Sequence, residues 1–201
     1  MIDTSKKFLV AGAGKSGIGS VNLLLKTGAD VSLYDGNEEL DKEALFEKLY
    51  EKKEISLVLG NITKEDIEKY DLLVLSPGIS VNAPIAQMFY DQEKPVWSEI
   101  ELAYQASKGK IAAITGTNGK TTTTALTGEI MKGYYESSFV VGNIGIPYTS
   151  VALDTQENSV ITAEISSFQL ETIVDFKPDV CAVLNITPDH LDRHGTVEVY
   201  A

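Results

Sequence analysis

The strongest chemical signal in this sequence is a lysine that follows a glycine and precedes two threonines, in Thr115-Gly116-Thr117-Asn118-Gly119-Lys120-Thr121-Thr122. In a turn of this kind backbone N–H groups cradle the phosphates of ATP. Lys120 then reaches the β- and γ-phosphates, and the Thr121 hydroxyl ligates Mg2+. The strict pattern sets its first glycine six residues before the lysine, where Ile114 stands; Gly116 lies four before it, so the loop is a shortened one. The bland alternative is a surface Gly-Lys turn, but an apolar run before it and a helical segment after it favour the phosphate loop.

A second glycine turn, Gly12-Ala13-Gly14-Lys15-Ser16-Gly17, also follows an apolar run and opens a helical segment, and Asp35 ends the next apolar run 18 residues on. That is the fingerprint of a diphosphate held at a helix N-terminus, for a dinucleotide or another nucleoside diphosphate. A tight turn that binds nothing remains the alternative. Ser76-Pro77-Gly78 ends a further apolar run and falls on the same edge. Two more stretches carry polar groups just past apolar runs. In Thr162-Ala163-Glu164-Ile165-Ser166-Ser167-Phe168-Gln169-Leu170-Glu171, Glu164 is placed to share a magnesium ion with phosphates, or is a solvated strand end. In Asn185-Ile186-Thr187-Pro188-Asp189-His190-Leu191-Asp192-Arg193-His194, His190 is a candidate ligand. These four strand ends are expected to converge on one sheet edge.

The elements that must position these groups are short apolar runs alternating with helical segments. Strands are expected at 8–11, 31–34, 57–59, 72–75, 111–114, 139–141, 160–163 and 180–184. Ile18, Val21, Leu24 and Leu25 recur at helical spacing; Leu45, Phe46 and Leu49 suggest a second helix, and Ile100, Leu102 and Ala103 a third. The repetition implies an α/β fold of parallel sheets with helices on both faces. One doubly wound sheet needs one phosphate turn, so two turns imply two domains. The charged, proline-ended Gln92-Glu93-Lys94-Pro95 is the expected boundary, giving residues 1–93 and 94–201.

Composition narrows the partners. The 201 residues are 43% hydrophobic and 23% charged, with Lys plus Arg 17 against Asp plus Glu 29 and a net charge of -12. Such a balance speaks against nucleic acid and anionic membranes, which require a basic face. The longest apolar run, Val180 to Leu184, is far shorter than the ~20 residues of a membrane span. The one cysteine, Cys181, is expected to be a small core residue, and a cytoplasmic setting is expected.

With these motifs in hand, the chain resembles the Mur ligase family, from Phe8 to its last residue. The shortened Gly116–Thr122 loop is similar to that family's own version. Glu164–Glu171, Gly142-Asn143-Ile144-Gly145 and Asn185 through Arg193 resemble the branch that adds D-glutamate. The resemblance implies a Rossmann-like parallel-sheet domain followed by a P-loop ATPase-like central domain that is truncated here. It implies an ATP-dependent, Mg2+-requiring ligase joining D-glutamate to UDP-N-acetylmuramoyl-L-alanine through an acyl phosphate. By the same resemblance Gly14, Lys15 and Ser16 would lie near the UDP diphosphate. Asp35, Gly36, Ser76, Pro77 and Gly78 would surround the uridine, although Gly36-Asn37 departs from the basic residues usual there. Gly116, Thr117, Asn118, Gly119, Lys120, Thr121 and Thr122 would bind ATP. Lys120, Glu164 and His190 would be catalytic, Thr121, Glu164 and His190 would hold magnesium, and Asn143, Ser166 and His190 would line the muramoyl-alanine channel. The family continues past the equivalent of Tyr200-Ala201 to a carbamoylated lysine and a third domain that binds D-glutamate. The chain is therefore expected to be a monomeric fragment with little turnover of its own. The alternatives are another amide ligase of the superfamily and a non-catalytic UDP-sugar or nucleotide-binding module. A dinucleotide-dependent oxidoreductase rests on the Gly12–Gly17 turn alone, and the Gly116–Thr121 loop speaks against it.

Overall fold

The computed structural model describes residues 2–143 and 145–201. Ile144, within the Gly142–Gly145 motif, lies outside them. Five strands, β1 (Lys7–Ala11), β2 (Asp30–Asp35), β3 (Ser56–Leu59), β4 (Leu72–Leu75) and β5 (Val96–Ser98), form a parallel sheet in the order β3-β2-β1-β4-β5. A second parallel sheet holds β6 (Lys110–Thr115), β7 (Ser138–Gly142), β8 (Val160–Glu164) and β9 (Val180–Val183) in the order β7-β8-β6-β9. The phosphate turns therefore sit on two sheets, as two such turns imply, and the four strand ends do not share the single edge expected of them. Strand β5 is additional to the eight strands expected, and it pairs with β4 through Leu73–Val96 and Leu75–Ser98. The first sheet thus runs past Pro95, and the expected division after residue 93 would cut it.

Alternation in the strands explains the layers. Phe8 and Val10 of β1 face one way, against Val21, Leu24 and Leu25 of α1 (Lys15–Thr27) and Ile100, Leu102 and Ala103 of α5 (Glu99–Ala106). Leu9 and Ala11 face the other way, against Ile67 of α3 (Lys64–Ile67) and Ile85 and Phe89 of α4 (Pro84–Asp91). A parallel sheet requires such cover on both faces. The residues Leu45, Phe46 and Leu49 form only a short α2 (Lys42–Phe46) and the turn after it, ahead of a single 3-10 turn at Tyr50–Lys52. The first core continues without a break into the second sheet through Ile111, Ala113, Ile161 and Ala163. The two units share one apolar interior.

Two buried glutamates on α5 stitch that seam. One carboxylate oxygen of Glu101 accepts the backbone N–H groups of Val174, Asp175 and Phe176 at 2.8, 3.0 and 2.9 Å. Glu99 accepts from the side-chain amide of Gln169 in α8 (Ser167–Leu170) at 2.7 Å. The helix α7 (Tyr148–Val151) is held by Tyr148, whose buried hydroxyl meets Ser107 at 2.5 Å. Burial pushes that phenol up to about 12. At the far edge β9 behaves differently from expectation. Among the described residues it pairs only with β6, Val180 and Val183 are 66% and 59% exposed, and Cys181 is exposed as well. An apolar run shows that a strand can be buried; it does not show that anything covers it.

Candidate functional site

Each sheet is parallel, so the carboxyl-terminal ends of its own strands lie along one edge, where ligands of open α/β sheets bind. Along the second sheet the order of those ends is Gly142–Asn143 after β7, Glu164 at the end of β8, Gly116–Gly119 after β6, and Asn185–His190 after β9. The register pairs Ile114 with Glu164 and Gly142 with Glu164, which puts the three at one level. The shortened glycine loop therefore lies between Glu164 and the His190 segment.

The loop is tied down by its β9 neighbour. Asn118 N–H donates to the Asn185 side-chain oxygen at 2.9 Å, and the Asn185 amide donates back to the Asn118 carbonyl at 2.9 Å. Thr117 N–H donates to the Asn185 carbonyl at 3.0 Å, while the Thr117 hydroxyl meets Thr187 and Tyr200. Gly116, at φ 132°, holds a backbone conformation that side-chain-bearing residues rarely adopt, and a Cβ there would stand a tight 3.0 Å from the Asn185 backbone. Lys120 Nζ curls over the loop and donates to the carbonyls of Gly116 at 2.6 Å and Thr117 at 3.0 Å. An ammonium has three donors, so one is left for a phosphoryl oxygen.

Each phosphate turn leads into a long helix whose start carries no side-chain cap. Helices α1 and α6 (Lys120–Lys132) begin at Gly14 and Gly119 with no side-chain cap. Helix α4, of eight residues, and the four-residue helices α7 and Leu191–His194 also start without one, while α2, α3, α5, α8 and the short helix Val197–Tyr200 are capped by Asp41, Thr63, Ser98, Ser166 and Thr196. Uncapped N–H groups at the start of a 13-residue helix, with its dipole behind them, suit an anion.

Glu164 is 2% exposed and has no ion-pair partner among the described residues; the one hydrogen bond to its carboxylate there comes from the Asn143 side-chain amide at 3.3 Å. A buried carboxylate left this way calls for a cation, and a hard, oxygen-seeking ion such as Mg2+ fits it. Thr121 is exposed in the first turn of α6. His190 is also exposed, at φ 50°, with its ring 4.8 Å from that of Phe168. Among the described residues no three carboxylate, imidazole or thiol groups form a ready-made cluster for a metal. Ser166 is spent on its own helix: its hydroxyl and N–H both meet the Gln169 side chain. Asn143 is exposed, and its N–H donates to the Glu164 carbonyl at 2.9 Å.

On the first sheet, Gly17 packs so closely on the turn that a Cβ would lie 1.7 Å from the Gly12 carbonyl. The Ser76 hydroxyl is buried against Gly12 and Gly17 without a hydrogen-bond partner among the described residues. Asp35 accepts from Ala13 N–H at 2.7 Å and from Asn37 N–H at 2.9 Å, so it also fastens the turn. Gly14, Lys15, Gly36 and Gly78 are exposed, and Ser16, Ser76 and Pro77 are half-buried. Lys15 reaches across to the Gly145 carbonyl of the second unit. A cleft of about 490 Å³ runs between Gly14–Lys15 and Pro147–Ser150.

Motif reasoning gives no role to Arg193, Glu171 or Phe168, which join the two edges. Arg193 donates to Glu171 and to the carbonyls of Pro77 at 2.6 Å and Ile79 at 3.1 Å, with its guanidinium 4.1 Å from the centre of the Phe168 ring. The one clue in the sequence is its place three residues beyond His190.

Comparison with known proteins agrees with this geometry. Residues 6–98 match the Mur ligase MurD-like N-terminal domain, and residues 114–201 match the Mur ligase middle domain. A UDP-N-acetylmuramoylalanine–D-glutamate ligase from Lachnospira eligens is 56% identical over 197 residues, covering 98% of this chain and 44% of that protein. A protein of the same name from Lachnoclostridium phytofermentans is 55% identical over 97% of this chain and 43% of its own length. The chain thus spans less than half the length of these curated relatives. Among solved structures, a UDP-N-acetylmuramate–alanine ligase from Thermotoga maritima superposes with a TM-score of 0.55 at 22% identity, over 97% of this chain and 45% of that one, a likeness of fold. The chain belongs to the Mur ligase family, with a MurD-like N-terminal domain leading into the family's middle domain.

Proposed function

We propose that this chain supplies the nucleotide-sugar and ATP portions of an ATP-dependent ligase that joins D-glutamate to UDP-N-acetylmuramoyl-L-alanine. The observation that carries the reading is Glu164, a buried carboxylate with no ion-pair partner among the described residues, next to a lysine-bearing phosphate loop. The names of the relatives at 56% and 55% identity support the choice of amino acid and acceptor. The UDP diphosphate lies against Gly14, Lys15 and Ser16, with Asp35, Gly36 and Ser76–Gly78 around the nucleoside. ATP lies on Gly116–Thr122. Asn143 and His190 face the muramoyl-alanine end, with Ser166 behind them. We divide the two units at the start of α5.

The acceptor's terminal carboxylate attacks the γ-phosphorus, the bond to the β-phosphate oxygen breaks, and ADP leaves an acyl phosphate. The amine of D-glutamate then attacks the acyl carbon; inorganic phosphate leaves and the nitrogen sheds a proton. Lys120 holds the transferring oxygens through its remaining donor, and the uncapped start of α6 orients the phosphates. Thr121, Glu164 and His190 would hold Mg2+, which supplies charge neutralisation when bound. Every substrate is an anion while the chain carries -12, so binding is confined to these two helix starts and their lysines.

The test is Lys120→Ala in the full-length protein. Acyl phosphate formation should fall by about 100-fold or more, as for loss of a preorganised electrostatic donor. UDP-N-acetylmuramoyl-L-alanine should bind as before. Near-normal phosphoryl transfer by the variant overturns the assignment.

A further inference from the structure

The reaction proposed above needs one substrate to touch two sheets: its diphosphate on the first, its carboxylate on the second. The spacing between the edges must therefore be fixed, and one side chain is built to fix it. Arg193 is only 12% exposed, and Glu171, its ion-pair partner, 16%. The guanidinium lies over Phe168 and directs Nε and one terminal nitrogen to the two Glu171 oxygens. Its terminal nitrogens also reach the Pro77 and Ile79 carbonyls. Those carbonyls belong to the loop whose Ser76 walls the Gly12–Gly17 turn and whose Ser76 N–H donates to Ala11. At the other end, the N–H groups of Arg193 and His194 both donate to the His190 carbonyl at 3.0 Å. A single planar cation thus links the wall of the diphosphate turn, the His190 segment, and the helix that follows Glu164.

We propose that Arg193 is a positioning residue for this reaction: it sets the distance between the nucleotide-diphosphate site and the phosphoryl-transfer site without contacting either ligand. The inference rests on the ligase reading. Lysine cannot replace the guanidinium, because a single ammonium cannot fork onto Glu171 and still reach two carbonyls.

The experiment uses the full-length protein as wild type, Arg193→Lys and Glu171→Gln. Phosphate release with UDP-N-acetylmuramoyl-L-alanine, ATP and D-glutamate is followed alongside titrations of UDP alone and of ATP alone. A displacement of about 1 Å between reacting groups lowers turnover about 100-fold. Arg193→Lys should approach that loss in kcat while its affinities for UDP and for ATP stay within about two-fold of wild type. Glu171→Gln, which keeps the side chain's size, should show the same split with a smaller fall. A kcat near wild type in Arg193→Lys overturns the proposal. So does a parallel loss of both affinities, the mark of a merely structural role. Should either variant fail to fold, the other decides by the same criteria. If the wild type releases no phosphate with this acceptor, the ligase reading itself falls, and the positioning role with it.

Discussion

The two glycine turns look alike in sequence and are built on different physics. Gly12–Gly17 is shaped chiefly by steric fit, with Asp35 fastening Ala13 N–H beside it: Gly17 nests on the Gly12 carbonyl, and Ser76 closes the turn from the side. Gly116–Gly119 is held by hydrogen bonds, chiefly the reciprocal pair between Asn118 and Asn185. The helices behind them differ in the same way. Helix α1 buries seven of its residues, including Val21, Leu23 and Leu24, whereas α6 buries only Thr124 and Gly128. A turn fixed by packing cannot change without disturbing the core, while a turn fixed by polar stitches can loosen on a standing fold.

The sharpest way to break this contrast is Gly17→Ala. Its Cβ would stand 1.7 Å from a backbone oxygen, which no rotamer change relieves. We expect a loss of about 3 kcal/mol of stability in urea, the upper range for forced overpacking. Gly14→Ala is the matched control: it meets nothing within 4 Å and has an ordinary φ of -74°. It should cost about 1 kcal/mol or less, the difference between glycine and alanine at a helix start. Equal losses in the two variants would mean that packing does not shape the first turn.

The second turn should fail in the opposite manner. Asn185→Ala removes both stitches to Asn118 at a solvent-exposed site. Stability should fall by only about 1 kcal/mol, as for a net hydrogen bond. ATP affinity should weaken by about ten-fold, because the loop must then be ordered on binding. UDP affinity should not change. If ATP binds the variant as tightly as wild type, the stitches do not preorganise the loop.

Both turns are legible in the amino-acid sequence, because glycine, lysine and threonine announce them locally and the strand leading into each is an apolar run. The joinery is not. Arg193 and Pro77 are 116 residues apart, and nothing in either neighbourhood points to the other. Strand β5 is hidden by its length of three residues and by the proline that precedes it. Cys181 departs from expectation for a related reason: a buried and an exposed strand share an apolar pattern, and coverage is a property of other segments. The expectation of one sheet edge fails because local motifs give the end of a strand, not the sheet it joins.

The smallest effect expected lies at the seam between the units, where α5 carries two glutamates in different states of satisfaction. Glu101 is saturated by backbone donors. Glu99 receives Gln169 on one oxygen, while the other is buried with no partner among the described residues. Desolvation raises the Glu99 carboxyl above the ordinary carboxylate range, with the Gln169 bond opposing it only in part. An acid whose folded pKa is raised holds its proton in the native state over a range where the unfolded chain has lost it. Its contribution is complete below the unfolded value, about 4.3, and is lost as pH rises through the folded one. Wild type should therefore lose stability from this group between mildly acidic and alkaline pH. Glu99→Gln is neutral throughout, so its Tm should gain on wild type as pH rises. An orphaned amide would displace the whole curve without altering its slope, which makes the slope the quantity to compare. Parallel Tm curves for the two proteins from about pH 4 to about pH 9, a span that brackets the unfolded carboxylate value and a raised folded one, would show that Glu99 keeps one charge state across the seam. The polar joint behind the second turn would then be as settled as the steric one behind the first.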